Sequence, residues 1–192
     1  MRQASIKRET KETKIEAAIC LDGGEISVST GLPFFDHMLT AFATHGGFGL
    51  VLDAKGDIEV DGHHAVEDTG IVLGKAFAEA LGEKSGINRF GSFYVPMDEA
   101  LAFCAVDLSG RAFLVFDADF PQEKIGSYES CLTLEFFRAF CDNAKITLHI
   151  KSEYGGNAHH ITEAIFKAVG HALRVAATAN GGGTLSTKGV LE

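Results

Sequence analysis

The chain has 192 residues, 46% of them hydrophobic, and a formal net charge of −9. This length suits one domain or two small units that share a core. The acidic balance argues against nucleic acid or an anionic membrane as a partner, and no apolar run approaches the ~20 residues of a membrane helix.

The hydrophobic pattern predicts alternating strands and helices along the chain. Strands over 14–21 and 24–30 flank Asp22-Gly23-Gly24, a pattern typical of a hairpin. A helix over 33–44, a strand over 48–60 and a helix over 64–81 follow. The next segments predict strands over 92–108 and 111–120 around a turn at Ser109-Gly110, a helix over 131–143, a strand over 145–153 and a helix over 160–177. Residues 180–191 are expected to form a flexible polar tail.

An internal repeat organises these elements. His37 is followed, after a strand-like stretch, by a His-His-x-x-Glu motif at 63–67, and Glu135 is followed at nearly the same spacing by the same motif at 159–163. The repeat predicts duplication of one module, with residues 1–92 forming the first and 93–192 the second, packed as one compact unit. The expected fold is α+β, in which each half is a mainly antiparallel sheet with two helices packed on one side.

The duplicated His-His-x-x-Glu motif predicts a metal site at the start of two helices. Imidazole and carboxylate groups suit Mn, Fe, Zn or Co, and i, i+4 spacing lets the first histidine and the glutamate hold one ion together. The second histidine points about 100° away and is expected to serve a second ion. A solvated helix start explains a single motif equally well, but two motifs at matched positions favour ligands. The candidates are His63, His64, Glu67, His159, His160 and Glu163, to which the repeat adds His37 and Glu135.

The remaining residues of the second motif helix predict where its ligands face. An apolar stripe runs from Ile161 to Ala176, so the ligand side is expected to face solvent, the other module or another subunit. Among the other histidines, His45 is a candidate for lining a pocket or ending a helix. His149 is expected to be a sheet residue, and His171 a residue of the helix surface.

Cysteine use indicates a reducing compartment. The four cysteines, at positions 20, 104, 131 and 141, form no Cys-x-x-Cys pair and are predicted to be reduced, buried, small hydrophobes. The first residues also lack the apolar core of a signal peptide. A cytoplasmic location is therefore expected.

The ordered motifs of the whole chain resemble the imidazoleglycerol-phosphate dehydratase family. The segments that carry the resemblance are 8–13 (RETKET), 35–39 (FDHML), 44–47 (THGG), 62–68 (GHHAVED), 88–91 (NRFG), 97–101 (MDEAL), 107–111 (DLSGR), 157–164 (NAHHITEA) and 186–191 (STKGVL). The resemblance implies a duplicated α+β fold and a hollow homo-oligomer of 24 subunits whose active sites lie between neighbouring subunits.

The resemblance also implies an activity and its cofactor. Family members convert imidazole-glycerol phosphate to imidazole-acetol phosphate and water in histidine biosynthesis, through an imidazolate bound by two manganese ions in each active site. Other divalent transition metals remain candidates. All eight ligand candidates match family ligand positions, although position 135 is usually histidine in the family and is glutamate here. Leu185 likewise stands where the family often has proline.

The implied proton-transfer and phosphate-binding residues come from the same resemblance. Proton transfer is assigned to carboxylates, namely Glu12, Glu67 and Glu163. The phosphate is expected to meet Arg89, Arg111, Ser186, Thr187 and Lys188, with His45 and Lys167 as further substrate contacts. By themselves, Glu12 reads as a surface charge and either arginine as a salt-bridge partner.

Two other classes of function are compatible with the same ligands. A metal-storage shell explains the histidine-rich helix starts but not the phosphate-binding set. A metal-dependent phosphatase or hydrolase would use the ions to activate water.

Overall fold

The computed structural model describes residues 1–189, so the last positions of the second module and of the STKGVL motif, 190–192, lie outside the described residues. The first half contains β1 (Gln3–Glu9), β2 (Thr13–Cys20), β3 (Ile26–Ser29), α1 (Pro33–Gly46), β4 (Gly49–Gly56) and α2 (His63–Leu81). The second half contains β5 (Phe90–Met97), β6 (Ala100–Asp107), β7 (Phe113–Asp117), β8 (Lys124–Ile125), β9 (Tyr128–Glu129), α3 (Leu132–Ala144), β10 (Thr147–Tyr154) and α4 (Ala158–Ala177).

The two halves repeat one topology. The first sheet has the strand order β1-β2-β4-β3 and the second has β5-β6-β10-β7. In each sheet the last pair, β4 with β3 and β10 with β7, is parallel and the other pairs are antiparallel. This arrangement confirms the predicted duplicated α+β fold. The hairpin of β8 and β9 is an addition to the second half.

Each sheet buries one face against helices. In β2 the side chains of Thr13, Ile15, Ala17 and Ile19 are buried and alternate with more exposed neighbours, as period-two patterning requires. The strand β6 alternates in the same way. The outer face of each sheet is therefore left to solvent or to another molecule.

The helices pair across the two modules. The helix α2 packs on β1, β2 and α3, whereas α4 packs on β5, β6 and α1. The rings of Phe35 on α1, Phe136 on α3 and Phe166 on α4 contact one another, with centroids 5.3 to 6.4 Å apart. A single cluster of buried side chains runs through both halves. Residues of one module are thus held directly against residues of the other.

Glycines allow the paired helices to approach closely. A Cβ atom built on Gly70 of α2 would lie 2.6 Å from the carbonyl oxygen of Phe136 on α3. On α4, a Cβ atom at Gly170 would lie 2.5 Å from the carbonyl oxygen of Phe42 on α1. Both distances are shorter than real Cβ contacts, so any larger residue forces the helices apart.

The substitution Gly70→Ala is therefore expected to destabilise the fold by about 1–3 kcal/mol, the usual cost of overpacking. Urea unfolding followed by circular dichroism measures this change. Gly183→Ala is the matched control, because nothing lies within 4 Å of its added Cβ atom. Equal free energies of unfolding for the two variants would show that the helix contact tolerates a methyl group.

The structure corrects the predicted strands in three respects: one pairing, one division and one strand that was missed. The strands at 14–21 and 24–30 do not form a hairpin, because β4 lies between β2 and β3 and pairs with both. The segment 92–108 is two strands, since a tight turn with Asp98 at φ 47° separates β5 from β6. The edge strand β1 was not predicted, and its half-exposed residues carry too little apolar signal to reveal it.

Two further sequence expectations can be compared with the structure. Within residues 1–189, no helix combines the length and apolarity needed to cross a bilayer. All four cysteines are free, and Cys104 and Cys141 are buried as expected. Cys20 is only partly buried and Cys131 is exposed at the start of α3, so burial of all four was a wrong expectation.

Candidate functional site

A side-chain hydrogen bond to the backbone fixes the first histidine of each motif at the start of its helix. The carboxylate of Asp61 accepts a hydrogen bond from the backbone nitrogen of His63 at 2.8 Å. Asn157 does the same for His159 at 2.9 Å. Asn157 is the N-cap of α4, whereas Asp61 precedes the N-cap of α2, and both satisfy backbone donors that a helix start leaves unpaired. Each His-His-x-x-Glu motif therefore projects from a rigid helix start.

Three predicted ligands meet where α1 packs on α4. His37 Nε2 lies 3.6 Å from Glu163 Oε2, and His159 Nε2 lies 3.2 Å from the same oxygen. One ligand atom from each of the three residues falls within 4.8 Å of the others. Glu163 is only 6% exposed, whereas His37 lies at the surface. The ligand side of α4 thus faces the other module at this point.

A lysine keeps the buried Glu163 carboxylate charged. Lys167, one turn further along α4, donates to Glu163 Oε1 at 2.7 Å. Burial by itself raises the pKa of Glu163, but the hydrogen bond and charge of Lys167, with the charges of His37 and His159, bring it below its ordinary value. The other oxygen, Oε2, stays directed at the histidines. Two imidazoles and an ionised carboxylate are a donor set that fits a divalent transition metal.

The equivalent residues of α2 and α3 are not gathered in the same way. His63 Nε2 lies 3.5 Å from Glu67 Oε2, but Glu135 is turned away to Arg138, 2.6 Å from its guanidinium. The position matching Lys167 is Ile71, so Glu67 has no lysine at this spacing and its side chain is 44% exposed. Over the described part of the chain, His37, His159 and Glu163 are the one group of such side chains close enough to hold an ion.

The second histidine of each motif contacts a different carboxylate. His64 Nδ1 lies 3.1 Å from Asp57, and His160 Nδ1 lies 2.6 Å from Glu99. These hydrogen bonds raise the pKa of both histidines, and the bond from His160 lowers the pKa of Glu99 to about 2. Sequence analysis missed both carboxylates. Glu99 was within reach, since it stands in the MDEAL segment of the resemblance.

Glu12 lies in the turn between β1 and β2, and this turn is anchored to α2. The carboxylate of Asp68, which follows Glu67, accepts hydrogen bonds from Arg8 and from the hydroxyl of Thr13. Thr13 is also joined to Thr10 across the turn. The negative charge of Glu12 contributes to raising the pKa of His64. The anchoring residues were missed, although Asp68 is a buried carboxylate that the second motif replaces with Ala164.

His45 belongs to a small aromatic cluster, about three turns further along α4 than the three-ligand group. Its Nδ1 lies 3.1 Å from His171 Nε2, and the His171 ring stacks on Phe93 with centroids 4.2 Å apart. His171 is therefore packed between His45 and Phe93. The expectation that it is a residue of the helix surface was wrong. Burial, and then the charge of Lys167, lower the pKa of His45. His149 lies in β10 as expected, on its exposed side.

The remaining phosphate-binding candidates lie at the opposite end of α4. Arg89 is paired with Asp107 at 2.7 Å, and it donates to the carbonyl oxygen of Leu185 at 2.5 Å. This contact holds the tail, with Ser186, Thr187 and Lys188, beside the arginine. Arg111 is exposed just before β7 and contacts Ser109 only through its backbone nitrogen.

One chain thus separates the two sets of site residues. The backbone nitrogen of Arg89 bonds to Ala176 near the end of α4, whereas His159 stands at its start. A helix rises 1.5 Å per residue, so the two points are about 25 Å apart. The substrate implied by the resemblance has a three-carbon side chain, which cannot span this distance. Lys167 contacts the metal-ligand end through Glu163, but Arg89 and the tail do not lie there. His45 contacts His171, which is nearer to Ala176 than to His159 along α4.

Comparison with known proteins assigns the family. The family model described as imidazoleglycerol-phosphate dehydratase matches residues 30–173. Imidazoleglycerol-phosphate dehydratases of Bacillus thuringiensis and Bacillus anthracis are each 55% identical over the full length of both chains.

Solved structures of the same family share this fold. The imidazoleglycerol-phosphate dehydratase of Staphylococcus aureus matches with a TM-score of 0.85 at 42% identity, covering 92% of this chain and 99% of that one. The enzyme of Pyrococcus furiosus, solved in complex with (S)-C348, matches with a TM-score of 0.84 at 41% identity, covering 97% and 100%. The chain, with its duplicated α+β fold and two His-His-x-x-Glu helix starts, belongs to the imidazoleglycerol-phosphate dehydratase family and is an enzyme of histidine biosynthesis.

Proposed function

We propose that the chain dehydrates imidazole-glycerol phosphate with the help of two divalent metal ions, manganese being the expected one. The observation that carries this proposal is the meeting of His37, His159 and Glu163 between two modules. These three residues would hold one ion. The other candidates, His63, His64, Glu67, Glu135 and His160, would hold the second ion and complete the first. Bound metal would supply Lewis-acid stabilisation of negative charge on the imidazole ring.

The proton that leaves carbon is not acidic, so the reaction needs a positioned carboxylate. Both carboxylate oxygens of Glu163 have partners, Oε1 in Lys167 and Oε2 in the two histidines. This arrangement favours the role of a ligand over that of a proton carrier. Glu12 is exposed on an anchored turn near His64, and we assign proton transfer to it. Glu67, half exposed beside His63, is available as a ligand or as a second proton carrier.

The phosphate group is proposed to bind between subunits. Lys167 contacts Glu163 at the metal-ligand end of α4, whereas Arg89 lies about 25 Å from His159 along this helix. His45, beside His171, lies between these two points. A neighbouring subunit that brings its Arg89, Arg111, Ser186, Thr187 and Lys188 to the metal-ligand end completes the site. Exposed apolar side chains on the second module support assembly, since Tyr94 and Phe113 are each more than half exposed. The 24-subunit assembly itself is inferred by family resemblance.

A cytoplasmic location is part of the same proposal. The four cysteines are free, which suits a reducing compartment.

Metal removal is the direct test of the proposed function. We expect a chelator to abolish formation of the ketone product from imidazole-glycerol phosphate, and added Mn²⁺ to restore it, because the ring charge is otherwise unstabilised. Elemental analysis is expected to find about two ions per subunit, as two sets of ligands predict. Full turnover without metal would contradict the proposal. Metal binding without turnover would indicate a storage shell, and release of free phosphate would indicate a hydrolase.

The ligand role of Glu135 has its own test. Glu135→His is expected to retain two ions and substantial turnover, whereas Glu135→Ala is expected to lose one ion, because carboxylate and imidazole both ligate manganese. Metal content and turnover are measured on both variants. Arg138→Ala is the control, since it removes the partner that Glu135 contacts in the free chain without removing a ligand. Two ions at unchanged affinity in Glu135→Ala would make Glu135 a salt-bridge residue only.

A further inference from the structure

The second histidine of each motif presents the same nitrogen to a carboxylate. His160 places Nδ1 2.6 Å from Glu99 Oε2. His64 places Nδ1 between the two oxygens of Asp57, at 3.1 and 3.2 Å. An ionised carboxylate has no hydrogen to donate, so in each contact the proton sits on Nδ1. The lone pair of a neutral ring is then on Nε2.

The two carboxylates come from different places in the repeat. Glu99 directly precedes β6, in the turn after β5, and its equivalent in the first module is Glu12, which directly precedes β2. Asp57 instead follows β4, where the second module has Gly155 after β10. Simple inheritance from one ancestral module would have used one position twice. The same contact, made from two positions, indicates that each histidine requires an acceptor at Nδ1.

Both carboxylate oxygens of Glu99 are hydrogen-bonded, one to His160 and the other to the backbone. Its second oxygen, Oε1, accepts a hydrogen bond from the backbone nitrogen of Gly156 at 3.1 Å. Gly156 lies just before the Asn157 cap of α4, so Glu99 ties the β5–β6 turn to the start of the ligand helix. The neighbouring Asp98 is 3.6 Å from the other nitrogen, Nε2, and its side chain is 72% exposed. Only Glu99 is fixed in place.

We propose that Glu99 and Asp57 are positioning residues that hold His160 and His64 in the tautomer with Nε2 free to bind metal. This inference rests on the proposed function in taking the two histidines as ligands. Partners of this kind orient a ligating imidazole and raise its basicity. A consequence concerns Glu12, which is the equivalent of Glu99 in the first module. Because Asp57 accepts the hydrogen bond from His64, Glu12 is not needed as its acceptor and is available for proton transfer.

The test uses the full chain and two readouts. In metal-free protein labelled with nitrogen-15 at histidine, two-bond correlation spectra report which ring nitrogen of His160 carries the proton. Competition with a chelator measures affinity for Mn²⁺. Glu99→Ala is expected to convert His160 to a mixture of tautomers and to weaken Mn²⁺ binding about 10–100-fold, the usual effect of losing such a partner. Glu99→Gln is expected to rescue the tautomer, since its amide oxygen still accepts from Nδ1.

Two further variants keep the outcome decisive. Asp57→Ala is expected to affect His64 as Glu99→Ala affects His160, and it supplies the answer if Glu99→Ala fails to fold. Asp98→Asn is the matched control and is expected to leave the His160 tautomer unchanged. An unchanged tautomer and unchanged affinity in both alanine variants, or an equal loss in Asp98→Asn, would overturn the inference. Wild-type protein that shows the Nδ1-protonated tautomer but binds no Mn²⁺ would instead contradict the proposed function.

Discussion

Replacing Glu163 with glutamine is expected to remove one of two metal ions and to lower kcat by about 10²–10³-fold, a loss typical of removing a preorganised electrostatic group. Glu163 is the buried member of the His37–His159–Glu163 group, and both histidines converge on its Oε2. A glutamine keeps the size of the side chain but not its charge. It also leaves Lys167, whose side chain is 17% exposed, beside a neutral partner.

Metal content by elemental analysis, paired with turnover, measures this effect. Glu79→Gln is the control, because Glu79 is an exposed glutamate near the end of α2, away from the motif. Chromatographic size and the circular dichroism spectrum establish that the variant is folded and assembled. Two ions per subunit and near-normal kcat in Glu163→Gln would show that the carboxylate serves Lys167 and not a metal.

Replacing Glu12 with glutamine is expected to lower kcat by about 10²–10⁴-fold, the range that general acid–base catalysis contributes. Metal content and KM are expected to stay near wild type, because Glu12 is not among the proposed ligands. Its turn is held by Asp68, Arg8 and Thr13, none of which the substitution removes.

Steady-state kinetics, with metal analysis, test the assignment of Glu12. Glu16→Gln is the control on the adjoining strand β2, since Glu16 is exposed and paired with Lys7. A fall in kcat that comes with lost metal would identify Glu12 as a ligand. A normal kcat would return it to the class of surface charges.

The repeat made the architecture predictable from the sequence. Long helices with an apolar stripe, such as the one from Ile161 to Ala176, were placed to within a few residues, because a period near 3.6 over five turns is a strong signal. Strand neighbours were less predictable. The Asp22-Gly23-Gly24 turn has hairpin chemistry, yet β4 enters between its two strands, and pairing over such separations leaves no local mark.

The site residues were likewise predictable where the signal is local and not where it depends on contacts between distant elements. The histidines and glutamates of the motif are visible because their spacing is local, and the sequence placed them on helix starts. Asp57, Asp68 and Glu99 were missed because each acts through a contact with another element. The side chain of Glu135 points toward Arg138. This direction depends on its rotamer, which the spacing of residues in the sequence does not determine.

The separation of about 25 Å along α4 has a consequence for how much enzyme the cell has available. If neighbouring subunits complete each site as proposed, an isolated chain is a folded precursor without turnover, and specific activity becomes a function of total protein concentration through mass action. Newly made chains would then contribute nothing until they find partners. A moderate loss of folded protein would reduce flux more than proportionally, since each lost subunit also deprives its neighbours of one half of their sites.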